Sequence, residues 1–172
     1  MNGIKPTDWI LAALMTVAGA FLMYENIAAG PDADLAHPLS TQTWVMLPAF
    51  LLVTVPILWR RRNVLAVTGV TIAATALHVL AFGWVTRCGV GLPLAFALAY
   101  AVARFAGPLR NQVAGLAGIA VLLLVVLFRD ASAGLEALVI GIPGVVLFYG
   151  GGLLVQTLLS RRNAPVAERV AA

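Results

Sequence analysis

A histidine inside an apolar stretch is the first residue of this sequence that suits chemistry. His78 lies in ATALHVLAFGW, where an ionisable side chain is costly to bury. An imidazole in such a place suits a proton-responsive switch or an axial metal ligand. A haem between helices usually takes two axial ligands, and His37, beside Pro38 in a polar segment, is a poor second one. We therefore favour a neutral His78 bonded to a neighbouring helix, and the functional role stays open.

Polar residues near the ends of apolar runs are the second group of candidates. Glu25 and Asn26, in FLMYENIAAG, end the first apolar run, and Glu136 precedes the last one. Such side chains either line an outward-facing pocket or lie at the level of the lipid headgroups, where a charge costs little. The spacing allows an outer vestibule. Its members would be the candidate ligand-binding residues Glu25, Asn26, His78 and Glu136, together with Arg87.

The last apolar run, VIGIPGVVLFYGGGLLVQTLL, is unusual in its proline and its glycines. Proline removes a helical hydrogen bond, and consecutive glycines make bending easier. The candidate hinge residues are Pro143, Gly150, Gly151 and Gly152. Small residues also let helices pack closely in lipid without any motion. Close packing is the favoured interpretation, and a hinge that transmits movement to the cytoplasm is the alternative.

No familiar catalytic or metal-binding motif accompanies these residues. The sequence contains no GxxxxGK[ST], no HExxH, no histidine pair at helical spacing and no plausible Ser-His-Asp set. Its single cysteine, Cys88, excludes an internal disulfide and a CxxC metal site. We expect no enzyme activity, no metal and no cofactor for this chain alone.

The composition predicts an integral membrane protein. The chain is 62% hydrophobic and 10% charged, with a mean hydropathy of +0.98. A soluble domain usually carries about 25% charged residues, and 172 residues cannot hide so much apolar surface from water. The net charge of +4 would suggest nucleic acid in a soluble protein. Here the arginines lie at the ends of apolar runs, so membrane lipids and not nucleic acid are the expected partners.

Six apolar runs predict an all-α fold, a polytopic bundle of about six transmembrane helices. A spanning helix needs about 20 apolar residues, and lipid-exposed strands would leave backbone groups unpaired. The predicted spans are 8–28, 43–59, 64–86, 90–106, 109–128 and 137–159. The fourth is the weakest prediction, because it is short and contains Pro93 and Arg104. Residues 1–160 form the predicted transmembrane domain, and residues 161–172 form a short basic cytoplasmic tail.

The basic residues predict the orientation. With a cytoplasmic N-terminus, that side holds nine of the eleven, and the other side holds only Arg87 and Arg129. The nine are Lys5, Arg60, Arg61, Arg62, Arg104, Arg110, Arg161, Arg162 and Arg169. Six spans then place both termini in the cytoplasm of a multi-pass plasma-membrane protein. The first run is longer than the core of a signal peptide, so we expect it to stay in the protein.

Three stretches, taken in order, resemble a known family. They are LLVTVPILWRRRNVLAVTGVTIAATALHVLAFG, LPLAFALAYAVARFAGPLRNQVAGLAG and LLSRRNAPVAERVAA. Together they resemble the N-terminal membrane region of actinobacterial-type two-component sensor histidine kinases, from about Pro6 to Ala172. The residues that carry the likeness are Arg60, Arg61, Arg62, Tyr100, Arg104, Arg161, Arg162, Glu168 and Arg169.

The resemblance implies a membrane sensory module. In that family the last span leads into a dimerisation helix with the phosphoacceptor histidine, and an ATP-binding domain follows. Neither part is present in this sequence, so the expectation is a non-catalytic sensing or scaffolding module. Its tail would connect to a cytoplasmic kinase or response regulator, although Pro165 lies where the exiting helix should continue. A homo-oligomer is a further expected assembly.

Two other functions stay open. A small transporter or channel subunit would use Glu25, His78 or Glu136 along a path through the membrane. A membrane-embedded protein that binds a cofactor or lipid, such as haem or a quinone, is the other alternative.

Overall fold

The computed structural model describes residues 4–30 and 33–171, with side chains as far as Arg161, and this part of the chain is all-α as predicted. Its elements are α1 (Pro6–Ala28), α2 (Met46–Thr54), a 3-10 helix (Val55–Trp59), α3 (Val64–Phe82), α4 (Cys88–Phe105), α5 (Leu109–Phe128), a second 3-10 helix (Gly134–Ala137) and α6 (Leu138–Ala171). Five of the six α-helices, all except α2, are long and apolar enough to cross a membrane. The prediction of a polytopic helical bundle is therefore confirmed.

The second predicted span is shorter than the others. The helix α2 and the 3-10 helix that follows it cover Met46–Trp59. At about 1.5 Å per α-helical residue and about 2 Å per 3-10 residue, they reach about 24 Å, less than the roughly 30 Å hydrocarbon core. Pro56 lies in the 3-10 segment, where its missing N–H and its ring disfavour a continuous α-helix.

The bundle has two chemically different ends. We call the end where α1 begins the basic end, because Arg61 there lies 2.8 Å from Asp8 and 5.0 Å from the Phe105 ring. At the other end, which we call the loop end, Asn26 bonds to the backbone of Thr86. The helices α1, α3 and α5 therefore run from the basic end to the loop end, and α2, α4 and α6 return.

The third helix ends earlier than predicted. The apolar pattern suggested a span over 64–86, but α3 stops at Phe82. Gly83 has a φ of +64°, and a Cβ at this position would lie 2.7 Å from Ser40 Oγ. Only glycine combines this backbone conformation with so close an approach, so the chain leaves the helix here and residues 83–87 form a loop.

The fourth helix, predicted as the weakest span, lies at the centre of the bundle. It contacts α1, α3, α5 and α6, and half of its apolar window is buried. Its inner face is rich in small residues such as Ala95 and Ala99, which are fully buried. Its Gly91 lies so close to Val126 that a Cβ would approach to 2.5 Å. Because α4 contacts protein more than lipid, close packing matters more for it than high hydrophobicity.

The last helix lies at the edge of the bundle. It packs mainly on α4, where Gly144 lies against Phe96 and Gly152 against the Tyr100 backbone. Gly150 and Gly151 have open space around them. The helix α6 continues without a break from Leu138 to Ala171, past Pro143 and past the predicted domain boundary. Two glycines thus serve close packing in this structure, while the hinge stays a prediction.

Candidate functional site

Three loops join into a cap at the loop end. The His37 N–H donates to the Ala131 carbonyl at 3.0 Å, and the Ser40 N–H donates to the Trp84 carbonyl at 2.9 Å. The Ala131 N–H in turn donates to the Val85 carbonyl at 3.3 Å. We call residues 29–30, 33–45, 83–87 and 129–137 the loop cap. The loop cap joins the α1–α2, α3–α4 and α5–α6 loops by hydrogen bonds, which the apolar pattern of the sequence does not predict.

Asp130 is the main acceptor inside the loop cap, and it is fully buried. Its Oδ2 accepts the backbone N–H groups of Arg87 and Cys88 at 2.6 and 2.7 Å, at the start of α4. Its Oδ1 accepts from the Ser132 N–H and hydroxyl and from the Ala133 N–H. Burial alone would raise the pKa of Asp130. The hydrogen bonds, led by the one from the Arg87 N–H, outweigh it and hold the pKa below its ordinary value.

Arg87 is the largest fully buried side chain in the described part of the chain. Its guanidinium donates to four carbonyls and to the Nδ1 atom of His78. The distances are 3.1 Å to His78 Nδ1, 3.3 Å to Val85 O, 2.9 Å to Arg129 O, 3.4 Å to His78 O and 2.9 Å to Gly83 O. All five N–H groups therefore have partners within the protein. Burial lowers the pKa of Arg87 to about 10, so the group stays charged at neutral pH.

His78 has one ring nitrogen satisfied and one without a partner. Its side chain is 2% exposed, and its Nδ1 accepts the Arg87 Nε–H at 3.1 Å. Because an acceptor Nδ1 carries no proton, the neutral imidazole holds its proton on Nε2. Nε2 has no hydrogen-bond partner in the described part of the chain. The Phe50 and Phe82 rings lie 5.2 and 4.6 Å from the imidazole ring.

An apolar groove of about 610 Å³ runs between the second membrane segment and α3, and His78 is one of its lining residues. The other lining residues are Ala49, Leu52, Val55, Pro56, Trp59, Val70, Ala73, Ala74, Leu77, Ala81 and Phe82. Leu52 and Leu77 are each 67% exposed, so the groove opens on the outer surface of the bundle. In a membrane this surface faces lipid.

In the described part of the chain, the candidate ligand-binding residues are divided between two hollows: His78 lines the apolar groove, and Glu25 and Asn26 line another. Glu25 is exposed and, with Asn26, lines a separate depression of about 200 Å³. The Asn26 amide donates to the Leu22 and Thr86 carbonyls and accepts the Thr86 N–H at 2.8 Å. It therefore ties α1 to the loop cap. Glu136 is exposed on the second 3-10 helix.

The basic end holds an ion cluster that the sequence analysis did not single out. Asp8 is fully buried, and its Oδ1 lies 2.6 Å from Arg60 Nη2 and 2.8 Å from Arg61 Nε. Its Oδ2 accepts the Lys5 N–H at 2.9 Å. The sequence did contain a signal for this cluster. Asp8 lies in the first turn of an apolar helix, and three adjacent arginines follow the second apolar run. The pairing joins α1 to the end of the 3-10 helix.

The described residues offer no ready metal site, because no three His, Cys, Asp or Glu side chains cluster among them. His78 is also poorly suited as an axial ligand. Its Nδ1 accepts from Arg87, and the nitrogen left for a metal, Nε2, carries the proton. Comparisons with family models, with curated proteins and with solved structures gave no match to this chain.

Proposed function

We propose that this protein is a non-catalytic membrane module of the plasma membrane that senses or scaffolds, with α6 as the helix that carries its output. The observation that supports the proposal is the continuity of α6, which runs from the loop cap to Ala171. Its 34 residues measure about 50 Å at about 1.5 Å per residue. A hydrocarbon core of about 30 Å leaves roughly 20 Å of helix beyond it at the basic end.

The attachment of α6 suits transmission of movement. It contacts mainly α4, which is the central helix, and α4 begins at the two N–H groups that Asp130 binds. A change in the loop cap therefore has a short route to α6, through the start of α4. Most of the outward surface of α6 is apolar, with Val139 79% and Leu147 72% exposed. That surface suits lipid or a second copy of this chain.

The proposal implies a cytoplasmic partner of the kinase or response-regulator type, recruited by the end of α6. The test is purification from native membranes in mild detergent, with co-purifying proteins identified by mass spectrometry. The control is a shortened chain that ends at Arg162 and lacks residues 163–172. We expect a kinase- or response-regulator-like protein with the full chain and not with the control. A full chain that purifies alone, or a partner that binds both forms equally, would remove this function.

A transporter or channel subunit is the second candidate, and a buried polar stripe favours it. Thr68, Thr71 and Thr75 lie on one face of α3 that continues to His78, and all four are at most 3% exposed. However, the Thr68 and Thr75 hydroxyls donate to carbonyls of their own helix. Solute flux into proteoliposomes that His78→Ala abolishes would establish transport, and an absence of flux for ions and small solutes would eliminate it.

A further inference from the structure

We propose that this protein binds an anionic phospholipid at its basic end, with the lipid phosphate held by Arg61 and Arg62 and one acyl chain in the apolar groove between the second membrane segment and α3. The support comes from the charge of the basic end, the position of two tryptophans and the course of the groove. Lipid binding goes beyond the function proposed above, because it is measured without any partner protein.

The basic end carries more positive charge than its carboxylate balances. Four basic residues, Lys5, Arg60, Arg61 and Arg62, lie beside Asp8 or next to its partners, which leaves a net charge of +3. We call these five residues the basic patch. Both ion pairs in the described part of the chain use Asp8, with Arg60 and Arg61, so the exposed Arg62 has no carboxylate partner there. The basic patch therefore attracts a lipid head of net negative charge and repels the cationic group of choline or ethanolamine.

Arg61 is held in place, yet part of its guanidinium is unused. Its Nε donates to Asp8 Oδ1 at 2.8 Å, and its Nη2 donates to the Thr7 hydroxyl at 3.3 Å. The Phe105 ring lies 5.0 Å from the guanidinium carbon. Nη1 has no acceptor among the described residues, and the side chain is 23% exposed. A positioned guanidinium with free N–H groups suits a phosphate oxygen, which it binds by charge-assisted hydrogen bonds.

Two tryptophans place the basic patch at the level of the lipid head groups. Trp9 follows Asp8 in α1, Trp59 precedes Arg60 at the end of the first 3-10 helix, and both are exposed. Exposed indole rings of membrane proteins concentrate at the boundary between hydrocarbon and head groups. The neighbouring guanidinium groups are therefore level with lipid phosphates. This position favours a phospholipid over a soluble phosphate compound.

The groove offers an acyl chain a path that starts at this level. Its wall on the second membrane segment runs from Ala49 to Trp59, about 18 Å along the axis. The Arg62 N–H donates to the Trp59 carbonyl at 2.9 Å, so the exposed arginine lies at the mouth of the groove. One leaflet contributes about half of the roughly 30 Å hydrocarbon core, so the groove is long enough for one acyl chain. Apart from His78, its lining is apolar.

The test is native mass spectrometry of the full chain in mild detergent, with graded additions of dioleoyl phosphatidylglycerol or dioleoyl phosphatidylcholine. We expect phosphatidylglycerol to be retained with a Kd about tenfold below that of phosphatidylcholine. Equal Kd values would overturn the proposal by showing only unselective contact with lipid. The soluble compound sn-glycerol 3-phosphate carries the phosphate without acyl chains and should not displace phosphatidylglycerol. Displacement at a concentration equal to that of the lipid would show a site for soluble phosphate compounds instead.

Two pairs of variants test the head group and the chain separately, and all four positions are exposed, so the packed core stays intact. Arg62→Gln removes a cation of the basic patch and should weaken phosphatidylglycerol binding about fivefold. Its control, Arg129→Gln, removes an arginine at the loop end and should not change the Kd. Ala73→Leu fills the groove and should weaken binding, whereas Ala120→Leu on α5 should not. An unchanged Kd in both Arg62→Gln and Ala73→Leu, or equal losses in each variant and its control, would refute the site.

Discussion

Replacing Asp130 by asparagine should loosen the loop cap. The carboxylate accepts five hydrogen bonds, two on Oδ2 and three on Oδ1. An asparagine keeps one oxygen, so its NH₂ group must face at least two N–H donors. A hydrogen bond to a charged acceptor is worth about 1.5 kcal/mol or more. Losing two of them predicts a decrease of about 3 kcal/mol in the free energy of unfolding.

The assay is reversible unfolding in mixed dodecylmaltoside–SDS micelles. Cys88 provides a local readout, because its N–H bonds to Asp130 and its Sγ lies 3.2 Å from Ser132 Oγ. It is also the only cysteine in the sequence, so maleimide labelling reports this position alone. We expect Asp130→Asn to lower the SDS midpoint and to speed the labelling of Cys88. The matched control is Glu136→Gln, an exposed carboxylate in the same loop cap, which should change neither.

The pH dependence of the unfolding free energy provides a second test of Asp130. The pKa of Asp130 in the folded protein lies below its ordinary value of 3.8. A lowered pKa means that its stabilisation is fully present above about pH 4 and is lost as the pH falls through the folded-state pKa. The stability difference between the native protein and Asp130→Asn should therefore shrink below about pH 4. If the variant unfolds at the same SDS concentration as the native protein at neutral pH, the carboxylate does not hold the loop cap together.

Three further predictions concern the basic end, the last helix and the orientation. Asp8→Asn leaves Arg60 and Arg61 without their anion and should lower the free energy of unfolding in SDS by about 2–3 kcal/mol. The control Arg62→Ala should lower it little, and equal effects of the two changes would contradict the ion cluster. Gly152→Ala places a Cβ 2.8 Å from the Tyr100 carbonyl and should lower the free energy of unfolding by about 1–3 kcal/mol. The control is Gly150→Ala, where the added Cβ meets open space. Thermal melts of the two variants should differ, and identical melting temperatures would argue against close packing of α6. In intact cells, and with Cys88 replaced by alanine, an impermeant thiol reagent should label Asp34→Cys and spare Arg62→Cys. The reverse pattern would invert the orientation.

The described helices follow closely from the hydrophobic pattern, and the deviations have local causes. The predicted span 109–128 is the observed α5. The span predicted over 64–86 lost its last four residues because Gly83 turns the chain against Ser40, and apolar residues after a glycine do not reveal that contact. The fourth span was underrated because hydropathy measures fitness for lipid, while α4 lies mainly against protein. Hydropathy cannot distinguish a lipid-facing helix from a central one.

The candidate site was predictable only in part. His78 was singled out because an ionisable group in an apolar run is costly, and in the structure it accepts a hydrogen bond from Arg87, in the loop that follows α3. Asn26 was taken as a ligand candidate, but its amide is engaged with Thr86. Asp130 and Asp8 were not proposed as organising residues. Besides partners two or three residues away, Asp130 binds residues 42 and 43 positions away, and Asp8 binds residues 52 and 53 positions away.

The sequence by itself determined that this chain is a helical membrane protein, and it predicted an orientation. Those properties depend on hydrophobicity and on the positions of arginines, which are local and additive along the chain. Only the tertiary structure decided which polar residues meet. It brought Asp130 to the start of α4 and Asp8 to Arg60, and in both cases the partners lie at helix ends that are distant in sequence. It also folded Arg87 back onto His78, nine residues earlier in the chain. It also placed His78 among the residues that line an apolar groove, which no composition or periodicity reveals.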